Sequence, residues 1–256
     1  MDLSGMRIGS TESTSHSLQG EKMLLRKRVS LWKGICAFLA GVAVVASMGT
    51  ASAGTEQDQL VEKAKFTVQK MAVQSDMEQF RKLLAVSKGI VVFPQVLKAG
   101  FFIGGAGGNG VLLSRDAAKG WSSPAFYTMG QASFGLQIGA ESKELVLVVM
   151  TQKGLEAIIN NQVKLGADVS AAVGPVGKDL GASSTTNLDV DIFSFANNSG
   201  LFIGASVEGS LLDAKDDWLA TYYGKSVTSG DVVIRRTVDN AQASGLKEAL
   251  KSAEAR

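Results

Sequence analysis

Three sets of residues in this sequence could do chemistry. The first is Gly105-Ala-Gly107-Gly-Asn-Gly110, which follows the apolar run Phe101-Phe-Ile103 and has the G-x-G-x-x-G spacing of a dinucleotide-binding loop. Such a loop must open the helix of a βαβ unit of roughly 30 residues, with an acid about 20 positions on to hold the ribose. Here Gly110 leads into Val-Leu-Leu-Ser-Arg-Asp116, then Gly120 and Pro124, which leaves no room for a helix. No acid occurs between Asp116 and Glu141, and no Gly-Lys-Ser/Thr closes the run as in a P-loop. Glycines in a strand instead remove side chains so that another backbone can approach or the sheet can bend. That backbone role is the one expected.

The second set is acidic. Glu141, Asp189, Asp191 and Glu208 are the carboxylates from which a glycosidase-type pair would be drawn. Asp189-Val-Asp191 also places two carboxylates on one strand face, where they could contact Ca²⁺, but two ligands are too few for a site. Acids at strand ends are usually solvated or structural, so no catalytic residue, metal ligand or cofactor is assigned.

The third set is basic. Between Lys63 and Lys98 stand Lys63, Lys65, Lys70, Arg81, Lys82, Lys88 and Lys98, with Glu62, Asp76 and Glu78 as the only nearby acids. An ordinary solvated helix face reads the same way. If any part of the chain meets an anionic surface, it is this one.

What positions these residues begins after a leader. Arg26-Lys-Arg28 and Lys33 precede the apolar stretch Gly34–Met48, which ends near Ala51-Ser-Ala53, the pattern of a secretory signal cleaved after Ala53. The apolar core is shorter than the roughly 20 residues of a membrane span. Residues 1–22 are polar and precede a later methionine, Met23, and read as a mis-assigned start. Export to the periplasm or beyond is the expectation, with peripheral membrane association.

The only cysteine, Cys36, and the only histidine, His16, fall within residues 1–53. Residues 54–256 therefore hold no imidazole base, thiolate nucleophile, disulfide or His/Cys metal site. Of the 26 basic and 24 acidic residues, six and three lie in the leader, leaving 20 against 21. A near-neutral balance does not indicate a nucleic-acid partner.

Residues 54–256 suit a single domain. Glu56–Val73 has Leu60, Ala64, Val68 and Met71 on one helical face, and Ser75-Asp-Met-Glu78 matches a capping box before a second helix that stops at Lys88-Gly89. From Ile90 the period changes to two. Strands are expected over 90–93, 99–105, 109–114, 125–129, 132–140, 144–150, 166–173, 186–194, 200–207, 208–214 and 231–235. A helix capped by Thr151 interrupts them, and Asn240–Arg256 reads as a short terminal helix with Leu246 and Leu250, prone to fray. The expected fold is α+β: a β-rich antiparallel sheet, curled into a barrel or sandwich, with N- and C-terminal flanking helices.

Several separated motifs resemble the SYLF domain family. They are Ser87-Lys-Gly-Ile-Val-Val-Phe-Pro94, Lys98-Ala-Gly-Phe101 with the glycine run, Trp121-Ser-Ser-Pro124 and Gln137-Ile-Gly-Ala-Glu141. Leu165-Gly-Ala-Asp168, Gly174-Pro-Val-Gly177 and Gly200-Leu-Phe-Ile-Gly-Ala-Ser-Val-Glu-Gly209 complete the series. The resemblance implies a non-enzymatic module that binds acidic phospholipids, phosphoinositides in eukaryotic members, with actin binding in the fungal branch. It also implies use of basic residues on an N-terminal amphipathic helix, where this chain has Lys63, Lys65 and Lys70. Ser199 and Lys178 stand where the family often has Lys or Arg and Arg, which weighs against phosphoinositide specificity. Anionic phospholipid at a membrane surface is thus the expected ligand, with a protein-interaction or structural envelope role as the alternative.

Overall fold

Thr55 caps the first helix through a reciprocal pair of bonds. Its hydroxyl accepts from the Asp58 N–H at 3.2 Å, and the Asp58 carboxylate accepts from the Thr55 N–H at 3.0 Å. Helix α1 then runs Glu56–Val73. The computed structural model describes residues 55–100, 103–134, 139–160, 162–175, 190–198, 201–204 and 206–256, all within the unit Gly54–Arg256. The expected leader falls outside the described residues.

The predicted apolar stripe of α1 is the buried one: Ala64, Val68 and Met71 are fully buried beside Val61, and Leu60 lies half-buried at the margin. The capping box expected at Ser75 does not form. Gln74 holds the extended conformation that a cap requires, because it also ends α1, and Ser75 lies inside a 3₁₀ turn, Ser75–Met77. Helix α2 (Glu78–Val86) follows without a side-chain cap. Its stop comes from Ser87, whose N–H and hydroxyl both donate to the Leu84 carbonyl, at 3.3 and 2.9 Å.

Among the described residues ten strands form one sheet: β1 (Gly89–Gly100), β2 (Ile103–Asp116), β3 (Gly120–Trp121), β4 (Ala125–Phe134), β5 (Gly139–Val149), β6 (Val163–Lys164), β7 (Ala171–Val173), β8 (Ile192–Asn198), β9 (Leu201–Gly204) and β10 (Leu211–Ala214). The order is β6-β10-β4-β2-β1-β5-β8-β7, with β3 on β2 and β9 on β8; β7 and β8 pair in parallel, and the other strand pairs of the described residues are antiparallel. The sheet is strongly curled into a half-barrel, as the α+β reading anticipated. Its edge strands β6 and β7 are separated by only six residues of chain. Ile90–Phe93 and Leu145–Val149 are buried at every position. Successive strand residues point to opposite faces, so this end of the sheet is covered on both.

Two expected strands straddle connections. The run 99–105 is the end of β1 and the start of β2, and 132–140 is the end of β4 and the start of β5, because glycine-rich hairpin sequence continues the period-two pattern. Residues 166–169 are not strand; Gly166, at φ +82°, turns the chain, and β7 begins only at Ala171. Strand 186–194 appears as β8, displaced toward the C-terminus, with 186–189 outside the described residues.

Residues 231–235 form a helical turn instead of a strand. The Asp231 carboxylate accepts from the Thr228 N–H at 2.9 Å, the Thr228 hydroxyl at 2.7 Å and Arg235 Nε at 2.8 Å. These local bonds favour a helical turn over a ladder. Helix α3 (Gln152–Asn160) is capped by Thr151, whose hydroxyl accepts from the Gly154 N–H at 3.0 Å. Helix α4 (Asp216–Tyr223) packs Trp218 and Tyr222 edge-on against Phe126. The last helix, α5 (Ser244–Glu254), is no loose tail: Leu246, Ala249, Leu250 and Ala253 are buried in the common core, and Glu254 pairs with Arg115 at 3.0 Å.

The glycine run lies in the middle of β2, and its neighbour explains it. Pairing of β1 with both β2 and β5 shifts by one residue at Pro94-Gln95, a β-bulge that admits a proline to a central strand. The bulge drives the Gln95 carbonyl over Gly108, where a Cβ would stand 2.2 Å from that oxygen. At Gly110 a Cβ would lie 2.5 Å from the Phe93 ring. Gly108 and Gly110 make room for a bulge and a core ring, the backbone role expected of the motif.

Candidate functional site

The outward side of α1 is composed unlike an ordinary solvated face. Lys63, Phe66, Lys70 and Val73 follow one another at intervals of three and four residues, so they share one side of the helix. All four are exposed, Phe66 at 57% and Val73 at 65%. Burying either aliphatic or aromatic group would gain on the order of 1.5–3 kcal/mol, and the fold leaves both in solvent. Sequence periodicity missed these two because it followed the buried stripe; the signal was an apolar residue on the helix side bearing the lysines.

The seven predicted basic residues are not gathered into one patch. Lys63 is exposed and makes no ion pair among the described residues. Lys65 pairs with Glu62, stacks 4.7 Å from the Phe66 ring centre and lies along Gly245 of α5. Lys70 reaches Glu144 of β5 at 3.0 Å, and Lys82 pairs with Glu78 of its own helix at 2.6 Å. Arg81 turns inward, donating to the carbonyls of Gln74 at 2.8 Å and Ala72 at 3.3 Å, and so closes the C-terminus of α1. Lys88 is exposed where α2 gives way to β1, and Lys98 stands opposite Glu141 across the β1–β5 ladder. The helix thus brings Lys63 and Lys70 together with Phe66 and Val73; the others lie elsewhere or hold the fold.

The carboxylates are placed apart. Glu141 faces Lys98, Glu208 lies in the turn against Gly166, and Asp189 is outside the described residues. Asp191 is 4% exposed and fully engaged. Its carboxylate accepts from the Thr151 hydroxyl at 2.5 Å, the Ser170 N–H at 2.9 Å, the Ser170 hydroxyl at 3.0 Å and Lys153 Nζ at 3.2 Å. Burial alone would raise its pKa, but these donors win and hold it at about 2. That is a structural anion joining α3, the 170 loop and β8, the reverse of a proton donor tuned toward neutrality. Among the described residues no group of three His, Cys, Asp or Glu side chains could hold a metal ion.

A cleft of about 340 Å³ opens where the first two turns of α1 pass over the bulge. Glu56, Leu60 and Lys63 form one wall, Gln95 and Leu97 of β1 another, Gly107 and Gly108 lie between, and Trp218 of α4 contributes its indole. Leu97 is 56% exposed, and the Lys215 ammonium sits 3.7 Å over the Trp218 ring.

Comparison with known proteins places this architecture. A family model described as Ysc84, Las17-binding protein actin regulator, matches residues 130–253. Human SH3 domain-containing YSC84-like protein 1 is 30% identical over 171 residues, covering 66% of this chain and 50% of the relative. The chain belongs to the Ysc84, or SYLF, family. Protein YSC84 of Saccharomyces cerevisiae is likewise 30% identical over 173 residues, covering 66% of this chain and 37% of that protein. LAS seventeen-binding protein 3 of the same yeast is 31% identical over 150 residues, 57% of this chain and 32% of its own length. The Ysc84-family chain thus spans about half the length of the mammalian relative and less of the yeast ones. The family-model match begins at Gly130, within β4, so α1 and its exposed stripe precede it.

Proposed function

We propose that this Ysc84-family domain is a non-catalytic module that rests on membrane surfaces containing anionic phospholipid, with the outer face of α1 as its contact. The observation that carries the reading is the exposed pair Phe66 and Val73 flanked by Lys63 and Lys70 on one helix side. An interfacial helix needs this combination: apolar groups to enter the headgroup region and cations to meet its charge. The remainder of α1 is anchored in the core, so the helix is presented without having to fold on the membrane. If residues 1–53 export the protein from a bacterial-type cell, the lipids it meets are those of the envelope, such as phosphatidylglycerol or cardiolipin.

Flotation with phosphatidylglycerol vesicles tests this. Each lysine near an anionic surface contributes about 1 kcal/mol, or roughly fivefold in partitioning. Lys63→Glu with Lys70→Gln should therefore weaken flotation by more than about tenfold, and Phe66→Ser with Val73→Ser should weaken it independently of salt. Unchanged flotation in both double variants would remove α1 as the contact.

A protein partner is the second reading, favoured by the family's description as Las17-binding actin regulators and by the name of the yeast relative LAS seventeen-binding protein 3. Co-sedimentation with filamentous actin, together with no vesicle flotation, would select it.

A further inference from the structure

We propose that the cleft between α1, the β1 bulge and Trp218 takes a zwitterionic phosphodiester headgroup, with its phosphate at Lys63 and its ammonium at Glu56. The argument begins with what these two side chains lack. Lys65, Lys70 and Lys82 have each found a carboxylate, whereas Lys63 and Glu56 make no ion pair or side-chain hydrogen bond among the described residues. Both line the cleft. Seven residues separate them on one side of α1, about 10 Å along the axis, which is too far for them to neutralise each other directly.

Charge complementarity then selects the ligand. A simple anion drawn to Lys63 leaves Glu56 unanswered and repels it, and a simple cation at Glu56 meets Lys63 in the same way. A ligand with opposite charges on a short linker satisfies both. The surface between them suits such a linker: Leu60 lies between the two charges on α1, and Leu97 and the Trp218 indole contribute further apolar surface to the cleft. Gly107 and Gly108 present bare backbone there, and Asn109 offers an amide to an ester or hydroxyl oxygen. The volume, about 340 Å³, is at the lower end of the range for small-molecule sites. Phosphoethanolamine and phosphocholine headgroups share this charge arrangement, and only the primary ammonium of the first can donate hydrogen bonds to the Glu56 carboxylate.

The lipid origin of the ligand rests on the membrane reading, so the test separates the two. Soluble glycerophosphoethanolamine, glycerophosphoglycerol and inorganic phosphate are titrated into the protein, followed by amide and indole NMR shifts. Phosphatidylglycerol flotation is measured alongside, and circular dichroism verifies the fold of each variant. Shifts at Glu56, Lys63 and Trp218 with glycerophosphoethanolamine, much weaker ones with the other two, and about tenfold or greater weakening in both Glu56→Gln and Lys63→Met are expected. Equal binding of inorganic phosphate, an unaffected Glu56→Gln variant, or no shifts with glycerophosphoethanolamine would each overturn the proposal. Flotation that persists in any of those cases leaves the α1 contact standing without the headgroup site.

Discussion

Replacing Asp191 by asparagine should cost stability in a way that depends on pH. The carboxylate receives four donors from Thr151, Ser170 and Lys153 while 4% exposed, and its pKa is held at about 2 against the ordinary 3.8. A folded-state pKa below the unfolded value stabilises the fold above the unfolded pKa and is lost as pH falls through the folded one. The displacement corresponds to about 2 kcal/mol at pH 7, about half of that near pH 3 and little at pH 2. The substituted side chain would in addition turn an amide NH₂ toward donors, a penalty of about 1–3 kcal/mol that does not vary with pH. Urea unfolding of wild type and Asp191→Asn at pH 7, 4 and 3 reads the difference directly, since the other carboxylates titrate in both proteins and cancel. The expected gap narrows by about 1 kcal/mol between pH 7 and pH 3. A gap that stays constant would show that the charge of Asp191 is not what the donors stabilise, and a gap below about 0.5 kcal/mol at pH 7 would refute the lock altogether.

Two further substitutions probe the fold beneath the site, beyond the vesicle and headgroup experiments already described. Gly108→Ala should destabilise by about 1–3 kcal/mol, because the new methyl meets the Gln95 carbonyl of the bulge at 2.2 Å; a urea midpoint equal to wild type would mean that the bulge yields freely. Leu250→Ala should cost about 2–5 kcal/mol, since α5 is part of the core, and a loss under about 1 kcal/mol would return it to the loosely attached helix that its sequence resembles.

Period and capping made much of this architecture readable, and their failures are local. The α1 stripe stood out because Ala64, Val68 and Met71 recur at helical spacing beside residues of opposite polarity. Helix α4 escaped notice because Trp218, Thr221, Tyr222 and Tyr223 are residues that strands also favour; only Asp216 and Asp217 at its start and the left-handed Gly224 after its end mark it as helix. Residues 231–235 look like a strand until Thr228 and Asp231 are seen to close the turn with their own side chains. The basic stretch was visible, yet its division into free, paired and capping groups was not. Glu144 and the carbonyls of Ala72 and Gln74 had first to be placed beside Lys70 and Arg81 by the fold. Phe66 and Val73 were hidden for the opposite reason: an apolar side chain in a helix is assumed to face inward.

The six-residue link between the edge strands β6 and β7 constrains how the sheet can be assembled. Strands β4, β2, β1 and β5 are contiguous in the sheet and come from residues 89–149. Both flanks of that central sheet, β10 and β6 on one side and β8 and β7 on the other, come from residues 163–214. As the chain leaves the ribosome, the four central strands are available well before either neighbour exists, and both of their outer ladders stand open. Those open edges are the surfaces on which strands of other chains add. Until residue 214 has been made, the nascent protein depends on its surroundings to keep them unpaired.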